Sequence, residues 1–114
     1  MHEGSIAASI IDETKKYALE NKIGSVKKVF VKAGVMRAVV DDALKFFFDI
    51  MKKEEDIVKD AELFVEREEI LCRWKKCNSE FRPEGLLFIC PRCGSTDVEI
   101  LEGDSILLMS IEGE

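Results

Sequence analysis

Cys72, Cys77, Cys90 and Cys93 are all the cysteines of the chain, and they fall into two pairs, Cys-x4-Cys and Cys-x2-Cys, with twelve residues between them. Two close pairs, each on a tight turn, can supply the four corners of a tetrahedral zinc site, in which thiolate sulfur sits about 2.3 Å from the metal. The rival explanation is a disulfide framework, which requires an oxidising compartment. The N-terminus has no basic segment leading into an apolar run, so reduced thiols and a cytoplasmic location are expected. A site closed by four cysteines keeps no open position for water or substrate, which makes it scaffold and not a catalytic centre. No enzymatic activity is expected.

The second group with coordination chemistry stands at the other end. His2 is the single histidine, and a terminal histidine taken alone is usually a frayed residue. Its position permits more, because the Met1 α-amine, the His2 backbone nitrogen and the His2 imidazole Nδ1 can close two fused chelate rings on one cation. Ni²⁺ and Cu²⁺ favour such planar, nitrogen-rich sites over the oxygen cages of Mg²⁺ or Ca²⁺. The remaining corner is left to the Glu3 backbone nitrogen, the Glu3 carboxylate, water or another chain. An amine of pKa near 8 and an imidazole near 6.5 must lose protons to bind, so modest acidification competes the metal off. Such lability suits a carrier.

The elements that must position these groups follow from hydrophobic period. Ile6, Ala7, Ile10, Ile11, Tyr17 and Ala18 recur three and four apart from Ser5 to about Asn21, an amphipathic helix with Ser5 as N-cap, Glu3 near its positive end and Gly24 at its exit. Val26, Val29, Phe30 and Val31 form a β-branched run closed by Gly34, a strand. Val35 to Lys53 returns to helical period with Val40, Ala43, Leu44, Phe47, Phe48 and Met51 on one face. Phe46 and Ile50 widen that apolar surface, which another element or a partner could share; a homodimer is admissible.

Lys52 to Asp60 reads as a solvated connector, and Ala61 to Leu71 as a strand running straight into Cys72. Beyond Cys93, the segments around Val98–Leu101 and Ile106–Ile111, separated by Gly103-Asp104, are expected to be strands that pair back. The fold class is therefore α+β: a small antiparallel or mixed three-stranded sheet with two helices, plus an inserted zinc ribbon. The division expected is 1–70 with 98–114 as one domain and 71–97 as the ribbon.

A chain of 114 residues, 46% hydrophobic and 35% charged, has the composition of a globular protein with a core of its own. No apolar run approaches the ~20 residues of a membrane helix, so no membrane association is expected. A net charge of −6 argues against nucleic-acid binding. Between Cys72 and Cys93, however, Arg73, Lys75, Lys76, Arg82 and Arg92 outnumber Glu80 and Glu84 by three. A zinc-ribbon nucleic-acid or transcription-associated module is therefore the alternative. The preferred account is that these cations offset the negative zinc–thiolate cluster.

Met1-His2-Glu3 before a helix, two helices with a sheet, and paired cysteines ending in Cys90-Pro91-Arg92-Cys93-Gly94-Ser95 together resemble HypA, the family of nickel-incorporation factors in nickel–iron (NiFe) hydrogenase maturation. The resemblance covers essentially the whole chain. It implies a non-catalytic metallochaperone that carries Ni²⁺ as transient cargo through Met1, His2 and Glu3 and holds structural Zn²⁺ on Cys72, Cys77, Cys90 and Cys93. It further implies work with HypB, a nucleotide-hydrolysing accessory protein, and delivery to the hydrogenase large subunit, with zinc-domain geometry communicating with the nickel site. The chain departs from the family in its first pair, Cys-x4-Cys where Cys-x2-Cys is common, and at Gly4, where a larger apolar residue is usual and where glycine is expected to loosen the approach to the first helix.

Overall fold

The computed structural model describes residues 3–83, 89–90 and 94–114. Its elements in chain order are α1 (Glu3–Glu20), β1 (Val26–Gly34), a 3-10 turn (Val35–Arg37), α2 (Asp41–Met51), a second 3-10 turn (Lys52–Glu54), β2 (Glu62–Glu68), β3 (Leu71–Trp74), β4 (Glu80–Phe81), β5 (Val98–Glu102) and β6 (Ile106–Gly113). The α+β class holds: one three-stranded sheet, ordered β2-β1-β6, carries the two helices, and a second, ordered β4-β3-β5, carries cysteines. The first sheet is mixed, with β1 parallel to β2 through a crossover that contains α2, and antiparallel to β6.

The core lies between that sheet and the helices. Ala7, Ile10 and Ile11 of α1 and Leu44 and Phe48 of α2 are buried against Val29 and Val31 of β1 and Leu63 of β2. Full burial of a Leu or Phe side chain contributes about 2–3 kcal/mol, so the helical stripes are what bind the helices to the sheet. Among the described residues the fully buried members of this cluster run from Ala7 to Leu63, and Val65 of β2 and Ile106, Leu108 and Ile111 of β6 pack against them, partly buried. Cys72, Trp74 and Cys90 are buried separately, in the second sheet and beside it. There Trp74 stacks on Phe81 at 4.4 Å between ring centroids.

The helix expectations need four corrections. α1 begins at Glu3, so Ser5 lies inside the helix and not at its N-cap. Gly4 is likewise helical, with Met51 and Phe47 of α2 about 3.8 Å from where a Cβ would stand, so an alanine there would make ordinary contacts. The exit is Lys22 and not Gly24: Lys22 takes the left-handed conformation at φ 58°, and Ile23 N–H donates to the Ala18 carbonyl at 2.8 Å in a Schellman closure. The second helix is broken, because Ala38 is left-handed and Val40 is extended, so α2 starts afresh at Asp41. Val39 is consequently buried, whereas Val40, placed on the buried face by period, is 56% exposed.

The two last strands do not pair with each other. β5 pairs antiparallel with β3, and β6 with β1. The division read from sequence assigned 98–114 to the first domain, and the Val98–Glu102 strand lies instead in the second sheet. Two short links therefore join the sheets, Glu69–Ile70 and Gly103–Ser105. At that crossing the Gly34 N–H donates to the Ser105 carbonyl at 2.8 Å and the Met36 N–H to the Gly103 carbonyl at 2.9 Å. Gly103 sits at φ +92°, with the Ile70 Cα 2.7 Å from where a Cβ would stand, so only glycine fits. Among the described residues no helix is long and apolar enough to cross a membrane.

Candidate metal centres

The cysteines are placed by two local structures that the sequence shapes differently. Cys72 is buried in β3, and the chain then turns through Lys75–Cys77 into β4. That turn is closed by Asn78 N–H donating to the Trp74 carbonyl at 2.8 Å and Trp74 N–H donating to the Ser79 carbonyl at 2.9 Å, with Asn78 left-handed at φ 60°. Asparagine tolerates that conformation better than most residues. The x4 spacing thus puts the first cysteine on a strand and the second on the turn after it. The other turn is closed at Cys90, whose N–H donates to the Ser95 carbonyl at 2.8 Å and whose carbonyl accepts from Gly94 N–H at 2.8 Å. Gly94 supplies the positive φ of +70°.

Cys77 Sγ and Cys90 Sγ lie 4.0 Å apart. A tetrahedron with arms of about 2.3 Å has edges of about 3.8 Å, whereas a disulfide needs about 2.0 Å; the separation suits two ligands of one ion. Cys72, Cys77 and Cys90 are free thiols. Burial pushes the Cys72 thiol above its ordinary pKa, so a cation that binds its sulfur must displace a proton. Among the described residues no three His, Cys, Asp or Glu side chains converge on one point, so the structure joins Cys77 with Cys90 but does not complete a trio with Cys72. Cys93 lies outside the described residues.

Two of the cations of this region have carboxylate partners. Arg73 pairs with Glu99 across the β3–β5 ladder, and Lys75 Nζ lies 3.6 Å from Asp97. Both carboxylates fall beyond the Cys72–Cys93 window, which is why the sequence shows a basic surplus that the folded ribbon reduces.

At the opposite end, Met1 and His2 lie outside the described residues, and Glu3 opens α1. Glu3 is buried, at 8% exposure, and its carboxylate Oε2 accepts a hydrogen bond from the Val40 N–H at 3.2 Å. Val40 is the N-cap of α2, so a side chain from the first turn of one helix meets the start of the other. Both helix N-termini carry partial positive charge, which favours a carboxylate there. The helical ladder makes no demand on the N–H groups of a first turn, so an amide in that turn can lose its proton to a metal without breaking a helical hydrogen bond.

Next to Val40, the Asp41 carboxylate has an oxygen, Oδ1, buried without a hydrogen-bond partner among the described residues. A buried, unsatisfied carboxylate oxygen is costly unless something else engages it. Sequence reasoning missed Asp41, since in the chain it is one of two adjacent aspartates. The local signal was a helix start after two valines, which the unbroken period from Val35 to Lys53 concealed.

Comparisons with known proteins bear on the family and the fold. A family model described as "Hydrogenase/urease nickel incorporation, metallochaperone, hypA" matches residues 1–113. The hydrogenase maturation factor HypA of Aquifex aeolicus is 37% identical, across 100% of this chain and 98% of its own. That of Campylobacter jejuni is 36% identical, across 97% of each. The solution structure of the Ni metallochaperone HypA from Helicobacter pylori superposes with a TM-score of 0.78 at 29% identity, covering 99% of this chain and 97% of that one. With a matching family model over nearly its full length, two helices on a mixed sheet and a cysteine-bearing second sheet, this chain belongs to the HypA family of nickel-incorporation metallochaperones.

Proposed function

We propose that this protein binds one Ni²⁺ per chain at its N-terminus, through Met1, His2 and Glu3, and delivers it to the large subunit of a nickel–iron hydrogenase during maturation. It works in the cytoplasm with a HypB-type nucleotide-hydrolysing accessory protein and performs no catalysis itself. Structural Zn²⁺ on Cys72, Cys77, Cys90 and Cys93 shapes a ribbon that forms a second unit beside the nickel-binding unit. The family description names urease as well as hydrogenase, and the relatives' naming as hydrogenase maturation factors favours hydrogenase as acceptor.

The observation that carries the reading is the pair of carboxylates at the meeting of the two helix starts: Glu3, held by the Val40 N–H, and Asp41, whose Oδ1 is buried and unsatisfied. The Glu3 carboxylate is engaged by backbone, which favours the Glu3 amide nitrogen over its side chain as donor to nickel. Asp41 then supplies a carboxylate oxygen close to the same helix start. The zinc half of the reading rests on the 4.0 Å approach of Cys77 and Cys90 sulfur and on the cysteine spacing.

Metal content and the visible spectrum after Ni²⁺ addition to protein with an intact Met1 test this. The parent is expected to hold one zinc and to take up one nickel with a d–d band of planar nitrogen-rich coordination. Asp41→Asn is expected to weaken nickel binding about tenfold, the size of a single charge-bearing contact of about 1.4 kcal/mol. Equal binding by the two proteins would remove Asp41 from the site, and absence of the band in the parent would remove the N-terminal assignment. A nucleic-acid role finds less support, because Arg73 and Lys75 are paired with Glu99 and Asp97.

A further inference from the structure

The two outer strands of the first sheet differ in chemistry. β2 carries Glu62, Glu66, Arg67 and Glu68, charges of the kind that keep an edge from recruiting other strands. β6 has no charge from Ile106 to Ile111 and neither lysine nor proline along its length. Among the described residues it pairs with β1 alone. The β1–β6 ladder has two register shifts, and the one on β6 leaves Met109 as an extra residue opposite Phe30 and Val31.

Helix α1 stands beside this edge as a second wall. Two hollows of about 380 and 320 Å³ lie between α1 and β6 and share Leu108. The first is bounded by Ile6 and Glu13 of α1, the second by Tyr17 and Asn21. Tyr17 and Met109 of the second hollow are about half exposed, at 47% and 51%, and Leu107, on the same strand but lining neither hollow, is 45% exposed. An open strand edge flanked by a helix presents backbone donors and acceptors on one side and apolar contacts on the other, the arrangement in which an extended peptide adds to a sheet.

Charge decides what fits. Asp104 and Glu13 line the first hollow beside a single cation, Arg37, and Glu112 and Glu114 follow the uncharged stretch; Glu112 keeps a 4.0 Å contact with Lys28 while remaining well exposed. A second copy of the chain matches poorly. Antiparallel pairing of two β6 strands about Leu108 brings Asp104 of one towards Glu112 of the other, and parallel pairing sets Glu112 beside its equivalent. Like charges opposite one another destabilise a strand pair. We propose that the α1–β6 groove docks an extended segment of a partner protein, apolar over about six residues and bearing Lys or Arg at both ends, as a fourth strand on β6. The proposal is independent of the nickel assignment.

A phage-displayed library of random peptides of about ten residues, panned on the full-length zinc-loaded chain, tests it. Enriched clones are expected to share a β-branched or aromatic core with basic residues at both ends. Their affinity for a chain carrying Leu107→Lys with Met109→Lys is expected to fall about tenfold or more, and Tyr17→Ala, on the helix wall, is expected to weaken them as well. Circular dichroism of both variants shows that the fold is kept, and Tyr17→Ala carries the test should the strand variant unfold. Failure to enrich, enrichment of clones without basic ends, or affinity unchanged in both variants would overturn the proposal. So would concentration-dependent dimerisation abolished by the strand substitutions, since that would give the edge to a second copy.

Discussion

Glu3 and Asp41 show how single residues acquire roles from their surroundings. Glu3 is the first residue of α1 and its carboxylate fixes the N-cap of α2, so a contact between helix starts sits beside the chain end that carries Met1 and His2. The approach of Cys77 to Cys90 was legible from the spacing of the cysteine pairs, because turn geometry is local. Asp41 was not, since its burial arises from packing and nothing nearby distinguishes it from Asp42. Thr14 offers a comparable case: it is fully buried on α1 and its Oγ1 has no hydrogen-bond partner among the described residues. Thr14→Val keeps the shape and removes the orphaned hydroxyl, so it is expected to raise stability by up to about 1 kcal/mol in thermal or urea unfolding. A loss of that size instead would mean that the hydroxyl is satisfied.

At the scale of elements, period announced both helices and the three strands of the first sheet, but it could not say where a helix breaks or which strand pairs with which. Val39 and Val40 exchange burial because Ala38 turns left-handed, a backbone event without a sequence signal in a run that contains no glycine. The Gly103-Asp104 pair looked like a turn between paired strands, and it is the crossing from one sheet to the other. The crossing tolerates no side chain: at Gly103 both positive φ and the nearby Ile70 backbone exclude a Cβ. Gly103→Ala is therefore expected to cost on the order of 3 kcal/mol, from backbone strain and overlap together. Gly94→Ala shares the positive φ but meets nothing within 4 Å, so a cost nearer 1 kcal/mol is expected. Comparison of the two unfolding midpoints in urea checks the assignment; equal losses would mean that the sheet crossing is not tightly packed.

For the whole molecule, the separation of buried residues is the organising fact. Among the described residues the main cluster, with Val65, Ile106, Leu108 and Ile111 packed against it, belongs to the first sheet and the helices, and Cys72, Trp74 and Cys90 are not part of it. Cys90→Ser is accordingly expected to release zinc and disorder the ribbon while the amide signals of α1, α2 and β1 stay dispersed in a nitrogen–proton correlation spectrum; global collapse would show that the two units fold as one. At the proposed N-terminal site amine, imidazole and amide protons would compete with nickel, so affinity is expected to rise between about pH 6 and 8. The most direct test is isothermal calorimetry of Ni²⁺ binding to the parent and to His2→Ala in buffers of different ionisation enthalpy. The account predicts one site in the parent with proton release, and a loss of affinity on the order of a hundredfold in the variant, about 2.7 kcal/mol. Equal affinity and equal proton release in the two proteins would contradict it.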